Sequence, residues 1–277
     1  MGCNIPTGQR MKKIDFDPAW PESWRTSRRY DGMEIYGEKD CAGYVCAYET
    51  RWRQTIEMVR EVTPTGGRVL DVAAAQGNFS LRMAEMGFLV TWNDLRAELA
   101  DYVKLKQETG RVEFAPGNVF DLGLKDDFET VLITEVIEHV AHPDRFLARI
   151  AGFVKPGGHV VLTTPNGGYF LNRLPKFSEC SDPGQYESRQ FRPDSDGHIF
   201  LLHADEIPLL AGKAGLTVRE INFFTNPLAA GHLKTERLLK ILPHSWVMAF
   251  EKLTSAFPGM VRGKICTGMS VLLKKQP

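Results

Sequence analysis

A run of mostly small residues follows a short apolar segment and has the composition of a ligand-binding turn. Val69-Leu70-Asp71-Val72 leads into Ala73-Ala74-Ala75-Gln76-Gly77, and a helical pattern begins directly afterwards. Small side chains let a ligand lie against the backbone, and the first turn of the helix offers unpaired N–H groups. Strand, tight turn and helix in this order predict the nucleotide-binding turn of an open α/β sheet.

An acidic residue follows at a distance that suits a ribose site. Asp94 lies 23 residues beyond Asp71, at the end of a strand predicted over residues 88–92. A carboxylate in this position can accept hydrogen bonds from both ribose hydroxyls. Asp94 could also cap the next helix, and the two roles are compatible.

Two carboxylates and an imidazole are spaced so that they could act together. Glu135, Glu138 and His139 stand at i, i+3 and i+4, so one helical turn would place all three on the same face. Two carboxylates and an imidazole could bind a divalent ion. We favour the alternative, in which Glu135 lines a ligand pocket and Glu138 is hydrogen-bonded to His139 at its entrance. His139 or His142 would then be the general base, because an imidazole titrates near working pH.

Alternating strand and helix patterns surround these residues and predict a largely parallel sheet. Strands are expected near residues 68–72, 88–92, 111–115, 128–134 and 160–164, then at 217–224 and 265–274. Pro156-Gly157-Gly158 predicts a turn before the fifth strand, since glycine readily adopts positive φ. In such sheets ligands bind beyond the carboxyl ends of the strands, where the turn and Asp94 would lie.

Four segments in this order resemble the class I S-adenosylmethionine (SAM) methyltransferases. The first resembles the motif V-L-D-x-G-x-G-x-G, with Ala73 and Ala75 in place of two glycines. Alanine adopts positive φ only at a cost, so either both residues have negative φ or the loop differs from the family's. E-V-I-E-H-V at 135–140, K-P-G-G at 155–158 and T-P-N at 164–166 resemble the branch that includes the ubiquinone-biosynthesis O-methyltransferases.

The resemblance implies a fold, a cofactor and a set of binding residues. The fold is an α/β, Rossmann-like seven-stranded SAM-methyltransferase sheet with helices on both faces and an antiparallel last strand. The cofactor is SAM. The implied residues are Asp71, Ala73, Ala75 and Gly77 for the methionine end, Asp94 for ribose, Leu95, Asn118 and Val119 for adenine, and Glu135 to close the pocket.

The resemblance also implies methyl transfer, and we expect O-methylation of a small-molecule metabolite. Some members of the family look like metal enzymes through the same E-x-x-E-H pattern with a later histidine. A metal-assisted ribose methyltransferase, with Glu135, Glu138, His139 and His198 as metal ligands, is therefore one alternative. A SAM-binding module without catalysis is another, because the turn has lost two glycines. A nicotinamide dehydrogenase is disfavoured, since Asn78 occupies the third position of the dinucleotide fingerprint.

Composition restricts the partners and the compartment. Lys+Arg and Asp+Glu both total 34, and a net charge of zero argues against a nucleic-acid partner. The five cysteines form no C-x-x-C pair, which favours reduced thiols in a cytoplasmic protein over a zinc site or a disulfide framework. We expect neither a membrane-spanning segment nor a signal peptide, because the required apolar runs are missing.

Two domains are expected along the chain. Residues 1–60 would form an N-terminal arm and helical cap, and residues 61–277 the methyltransferase domain with insertions at 166–204 and 229–262. The first insertion follows the fifth strand, so we expect it to bind substrate.

The second insertion carries an apolar stripe at helical spacing, formed by Trp246, Phe250, Leu253 and Phe257. We expect the stripe to pack on the core or on another subunit, as in a homodimer. Peripheral membrane contact through residues 231–257 is the alternative, because basic residues accompany the stripe.

Overall fold

One seven-stranded sheet organises the chain in a computed structural model that describes residues 11–38, 41–190 and 197–277. The strands are β1 (Arg68–Val72), β2 (Leu89–Trp92), β3 (Arg111–Phe114), β4 (Phe128–Thr134), β5 (Val154–Pro165), β6 (Leu216–Phe224) and β7 (Gly268–Lys275). Their order is β3-β2-β1-β4-β5-β7-β6. The first five are parallel, and β7 is antiparallel to β5 and β6. The predicted sheet with its antiparallel last strand is confirmed.

Helices cover both faces of this sheet. They are α1 (Glu22–Glu34), α2 (Ala42–Val62), α3 (Asn78–Glu85), α4 (Leu99–Lys106), α5 (Pro143–Ala151), α6 (Ile207–Lys213), α7 (Glu236–Leu239), α8 (His244–Ser255) and α9 (Gly259–Ile265). Successive β4 residues point to opposite faces. Val131 and Ile133 pack in a core with α5 and α6, whereas Leu132 packs in a core with α2 and α3.

Two strand boundaries differ from the sequence prediction. β5 begins at Val154, so the predicted turn at 156–158 lies inside the strand, beside a shift in its register with β4. Gly157 has a φ of 76°, which explains the glycine at this bulge. β7 begins at Gly268 instead of 265, because residues 259–265 form α9.

The apolar stripe of the second insertion does not pack on the core. Trp246 is 69% exposed and Leu253 is 60% exposed, and the side of α8 that meets the protein carries Val247, Glu251 and Thr254. The expectation that this stripe packs on the core is therefore wrong. Within the described residues, no helix combines the length and the apolar content that a bilayer crossing requires.

Several sequence predictions fall outside the described residues. They concern Cys3, the first ten residues of the arm and residues 191–196 of the first insertion. The other four cysteines are free thiols. The division into two domains at residue 60 stays a prediction, and α2 continues through that boundary to Val62.

Candidate active site

A cavity of about 830 Å³ opens at the carboxyl ends of β1, β2 and β4. Pockets for small molecules have volumes in this range, and ligands of open α/β sheets bind at this edge. Seven of the predicted site residues line the cavity: Ala73, Ala75, Asp94, Leu95, Glu135, His139 and His198. The fold therefore brings together groups that are up to 125 residues apart in the sequence.

The turn between β1 and α3 has a left-handed backbone at both alanines. Ala73 has a φ of 55° and Ala75 a φ of 48°, so the alternative in which both alanines have negative φ is wrong. Hydrogen bonds hold the turn in this form: Ala74 N–H donates to the Asn93 carbonyl at 2.8 Å, and Ala75 N–H donates to Asp94 Oδ2 at 2.9 Å. The strain is of order 1–3 kcal/mol for each residue, a cost that the surrounding contacts must offset.

Gly77 ends the turn and precedes the first residue of α3. Its φ is 71°, and a Cβ at this position would lie 2.8 Å from the Val103 side chain. Both the conformation and the space require glycine here. Gly77 is not part of the cavity wall, so it shapes the turn without facing a ligand.

Asp94 lies where the ribose prediction requires. Its buried carboxylate accepts hydrogen bonds from the N–H of Ala75 and, within its own loop, from the Arg96 N–H and the Arg96 guanidinium at 2.9–3.2 Å. These donors occupy four acceptor positions of the carboxylate. Arg96 is half exposed, so its side chain can move away from the carboxylate and leave acceptor positions open. Leu95, 56% exposed, lies beside the acid on the cavity wall.

Three predicted cofactor residues, Asp71, Asn118 and Val119, do not line the cavity. Asp71 is 1% exposed and accepts a hydrogen bond from Ser80 Oγ at 2.5 Å. Burial raises the pKa of Asp71 to about 7, and the nearby Asp94 charge adds to the effect while Ser80 opposes it. Asn118 caps a short 3₁₀ segment, and Val119 belongs to the core. A contact of Asn118 or Val119 with adenine stays a prediction.

Glu135 closes the cavity beside α2. It follows β4 with a φ of 54°, accepts a hydrogen bond from Thr163 Oγ1 at 3.0 Å, and forms a 3.1 Å ion pair with Arg51 Nη1. Burial disfavours the charged guanidinium. The surrounding acidic groups, Glu135 first, outweigh burial and raise the pKa of Arg51. A fixed positive charge therefore lies on the wall.

A second acidic group lies deeper, next to two histidines. Glu138 is fully buried, and its Oε2 accepts a hydrogen bond from Thr164 Oγ1 at 3.1 Å. Burial, with Glu135 nearby, raises the pKa of Glu138 well above its ordinary value. Its Oε1 has no hydrogen-bond partner within the described residues. One ligand atom each from Glu138, His139 and His198 lies within 4.8 Å of the other two.

This arrangement corrects two details of the sequence interpretation. Glu135 does not join the other candidate metal ligands, because the turn at Ile137–His139 is a 3₁₀ helix and Glu135 lies before it, paired with Arg51. Glu138 Oε1 and His139 Nε2 are 4.0 Å apart, which is too long for the expected hydrogen bond.

His142 lies away from the cavity wall. It precedes α5, and its Nε2 is 2.9 Å from Glu187 Oε1 on the first insertion. Of the two histidines proposed as general base, only His139 lines the cavity.

The sequence analysis did not identify the residues that α1 and α2 contribute to the site. Tyr30, Glu34, Tyr44, Tyr48 and Arg51 all line the cavity. Three of them share one face of α2, at positions i, i+4 and i+7. That spacing could have indicated a functional face on α2. The apolar residues of the same helix instead suggested a helix that only packs on the core.

Buried polar contacts attach α1 to the turn. Glu34 Oε2 accepts hydrogen bonds from Gln76 Nε2 at 2.7 Å and from Asn78 Nδ2 at 2.8 Å. Asp31 accepts one from the same Asn78 amide at 2.9 Å and forms a fully buried 2.8 Å ion pair with Lys106. The N-terminal helix α1 is therefore part of the site.

Strand order, the turn after β1 and the acid after β2 together define a class I SAM-dependent methyltransferase fold. A family described as a methyltransferase domain matches residues 45–221, and the chain belongs to that family. The resemblance inferred from the four motifs, with SAM as its cofactor, is confirmed.

Individual relatives agree with this assignment. The ubiquinone biosynthesis O-methyltransferase of Xanthomonas axonopodis pv. citri (strain 306) is 30% identical over 164 residues, which cover 57% of this chain and 66% of that protein. The chain thus spans just under two thirds of that relative. Phosphoethanolamine N-methyltransferase 2 of Haemonchus contortus, solved with SAM, is 20% identical with a TM-score of 0.53, over 82% of this chain and 53% of that one. A SAM-dependent methyltransferase from Mesorhizobium loti is 15% identical with a TM-score of 0.53, over 81% and 97%. The two structures support the fold alone.

Proposed function

We propose that this protein transfers the methyl group of SAM to a hydroxyl oxygen of a small molecule. One observation carries the proposal. The small-residue turn, Asp94 and His139 all line the same cavity. The first features suit an adenosyl group, and the histidine suits a substrate hydroxyl. The name of the Xanthomonas relative supports oxygen as the acceptor atom.

The chain's own residues have three tasks in this reaction. Asp94 binds the ribose hydroxyls, and the turn from Ala73 to Gly77 cradles the methionine end. Arg51 and Glu135 form the part of the cavity wall near α2. When bound, SAM supplies a methyl group already activated on a sulfonium, so alignment and proton removal are the protein's main contributions.

His139 is the proposed general base. The substrate O–H bond breaks as its proton passes to the imidazole, and the oxygen forms the new bond to the methyl carbon. The carbon–sulfur bond breaks, and sulfur keeps the electron pair. An imidazole suits the task because its pKa is ordinarily near neutral pH.

The experiment has two stages. Calorimetry with S-adenosylhomocysteine compares the unmodified protein with Asp94→Asn and with Asp101→Asn, an exposed acid on α4. We expect Asp94→Asn to raise the Kd at least about tenfold, the effect of losing about 1.4 kcal/mol, and Asp101→Asn to leave it unchanged. Equal affinities for all three proteins would contradict the proposed ribose site.

The second stage measures turnover of methyl-labelled SAM with a panel of phenols, catechols and hydroxylated metabolites. His139→Gln should lower kcat about 100-fold or more while the Kd of S-adenosylhomocysteine stays constant. Binding of S-adenosylhomocysteine without turnover of any panel member would favour the SAM-binding module. Labelled product at a nitrogen or carbon atom would exclude oxygen as the acceptor.

A second candidate is metal-assisted methylation, such as that of a ribose hydroxyl. Glu138, His139 and His198 offer a carboxylate and two imidazoles, a donor set that suits Zn²⁺ and other transition metals. The unpartnered Glu138 Oε1 favours this option. Three results together would support it: a chelator abolishes activity, one added metal restores it, and His198→Ala is inactive. Full activity of chelated protein and of His198→Ala would exclude it.

Other properties stay predictions from the sequence. They are the cytoplasmic location, the small-molecule substrate and the lack of a nucleic-acid partner. A homodimer is also untested, and gel filtration with light scattering would measure it.

A further inference from the structure

The segment from Leu233 to Val261 exposes a large share of the protein's apolar side chains. Among the described residues, 18 large apolar side chains are exposed, and nine of them lie in this segment. They are Leu233, Leu238, Ile241, Trp246, Phe250, Leu253, Phe257, Met260 and Val261. Scattered exposed apolar residues are normal, but such a concentration marks an interaction site. We call this segment, with its flanks from Gly231 to Lys264, the α7–α9 surface.

The structure fixes which side of α8 faces outward. Glu251 is buried, and its carboxylate accepts hydrogen bonds from the N–H groups of Thr225 at 2.7 Å and Asn226 at 2.8 Å. The Asn226 amide donates to Thr254 Oγ1 at 3.1 Å on the same side of the helix. These contacts anchor α8, so the stripe that includes Trp246 and Leu253 cannot turn inward without breaking them.

The charges on this surface are of one sign. Residues 231–264 contain six basic side chains, Lys234, Arg237, Lys240, Lys252, Arg262 and Lys264, although the whole chain has no net charge. The carboxylates of the two acidic residues in the segment both accept hydrogen bonds from backbone N–H groups elsewhere in the protein. Glu251 is buried as described, and Glu236 accepts hydrogen bonds from the N–H groups of Ala42 and Gly43 at 2.9 and 3.0 Å. The outward face therefore combines exposed apolar side chains with positive charge.

The α7–α9 surface adjoins the segment that leaves the cavity. Phe170 N–H donates to the Lys264 carbonyl at 3.0 Å, and the Asn166 amide donates to the Gly263 carbonyl at 2.9 Å. Phe170 is itself 46% exposed, which extends the apolar area. Thr163 and Thr164, just before this segment, hydrogen-bond Glu135 and Glu138. Whatever binds the surface therefore lies close to the substrate side of the site.

We propose that the α7–α9 surface binds an anionic lipid membrane. The apolar stripe would lie at the boundary between headgroups and acyl chains, and the lysines and arginines would meet the lipid phosphates. A second copy of the chain fits less well, because a two-fold interface brings each patch against itself and would place the basic side chains near one another. The inference concerns membrane binding and holds whether or not the proposed methyl acceptor is correct.

The test is co-sedimentation of the full chain with vesicles of phosphatidylcholine, with and without phosphatidylglycerol. We expect at least tenfold stronger binding to the anionic vesicles, weakening as salt rises. Phe250→Ser with Leu253→Ser should reduce the bound fraction at least tenfold, and Lys240→Glu with Lys252→Glu should do the same. Leu209→Ser removes an exposed apolar side chain from α6 and should leave binding unchanged.

Fluorescence gives a second measurement at a defined residue. Trp246 is 69% exposed, so insertion should shift its emission to shorter wavelength. Trp246→Phe should abolish that shift and retain vesicle binding. Calorimetry with S-adenosylhomocysteine, without vesicles, shows separately whether each variant is folded and keeps the cofactor site.

Two results would overturn the proposal. One is equal binding to neutral and anionic vesicles. The other is no vesicle binding. A dimer that Phe250→Ser with Leu253→Ser converts to a monomer would then make a second copy the occupant.

Discussion

Arg51 Nη1 and Glu135 Oε2 lie 3.1 Å apart, and this ion pair joins the N-terminal helices to the carboxyl end of β4. Its two side chains are 18% and 29% exposed, so the pair is partly desolvated at the cavity wall. The guanidinium is also positioned to meet an anionic group of a ligand, and the methionine end of SAM carries a carboxylate. We therefore expect the pair to contribute to cofactor binding.

Arg51→Met should weaken cofactor binding. The substitution removes a cation from the wall and leaves Glu135 without its partner, so we expect the Kd of S-adenosylhomocysteine to rise at least about tenfold, or about 1.4 kcal/mol. Arg53→Met is the matched control, since Arg53 is 45% exposed on the same helix and pairs with Glu49. An unchanged Kd for Arg51→Met in calorimetry would limit the pair to a structural role.

Ala73→Gly with Ala75→Gly should not destabilise the protein. Both residues have positive φ, which glycine adopts without strain. Each substitution should relieve about 1 kcal/mol of backbone strain. This gain should match or exceed the free-energy cost that comes from the greater entropy of glycine in the unfolded chain. Ala148→Gly, at an exposed position inside α5, is the control and should cost about 1 kcal/mol. Urea denaturation measures both, and a loss of more than about 1 kcal/mol in the double variant would show that the turn is not strained.

Asp71 should make stability depend on pH. Burial raises its pKa to about 7 in the folded protein, while an unfolded chain has an ordinary value of about 3.9. The folded state therefore binds more protons between these values, and the free energy of unfolding falls as pH rises from about 4 to about 7. Asp71→Asn removes this effect. The stability of the unmodified protein relative to Asp71→Asn should fall by about 1–3 kcal/mol between pH 5 and pH 8.

Denaturation at several pH values measures that difference. Asp101→Asn, which changes an exposed acid on α4, should give a nearly constant difference over the same range. A constant difference for Asp71→Asn as well would mean that Asp71 is ionised throughout.

Lys106→Met should strongly destabilise the protein. Lys106 is completely buried, and its ammonium donates to Asp31 Oδ2 at 2.8 Å and to Asn78 Oδ1 at 2.7 Å. Burial lowers the pKa of Lys106, while Asp31 opposes the shift. Removing one member of a buried pair leaves the other charge uncompensated and costs about 3–5 kcal/mol.

The exposed Lys104, two residues away and paired with Asp101, provides the control. Lys104→Met should change the free energy of unfolding by less than about 0.5 kcal/mol, because exposed pairs contribute little. Similar losses for the two variants would argue against a special role of the buried pair.

The strand-by-strand pattern and the motifs predicted the fold because they are local signals. The apolar run of β4, the turn at residues 73–77 and the acid at Asp94 each depend on neighbouring residues, and each lies where the sequence indicated. The approach of Ala75 N–H to Asp94 Oδ2 follows from the parallel pairing of β1 with β2.

Long-range contacts decided the remaining features. The φ of Ala73 and Ala75 depends on hydrogen bonds to residues after β2, and these overrule the ordinary preference of alanine. The i, i+3, i+4 spacing would place Glu135 on one helical face with Glu138 and His139. Glu135 instead precedes the 3₁₀ turn and pairs with Arg51 on a distant helix. Propensity and spacing describe one segment at a time, so they cannot predict which segments meet.

The sequence by itself determined the succession of most strands and helices along the chain, the small-residue turn at 73–77 and the acid at Asp94, because periodicity and residue type act over a few neighbours. Only the tertiary structure decided that α1 and α2 complete the cavity, that His139 faces it while His142 does not, and that the stripe on α8 points outward. The physical reason is that burial and pairing depend on packing between distant segments. The buried carboxylate of Glu251 holds α8 by hydrogen bonds to the end of β6, more than 20 residues earlier in the chain.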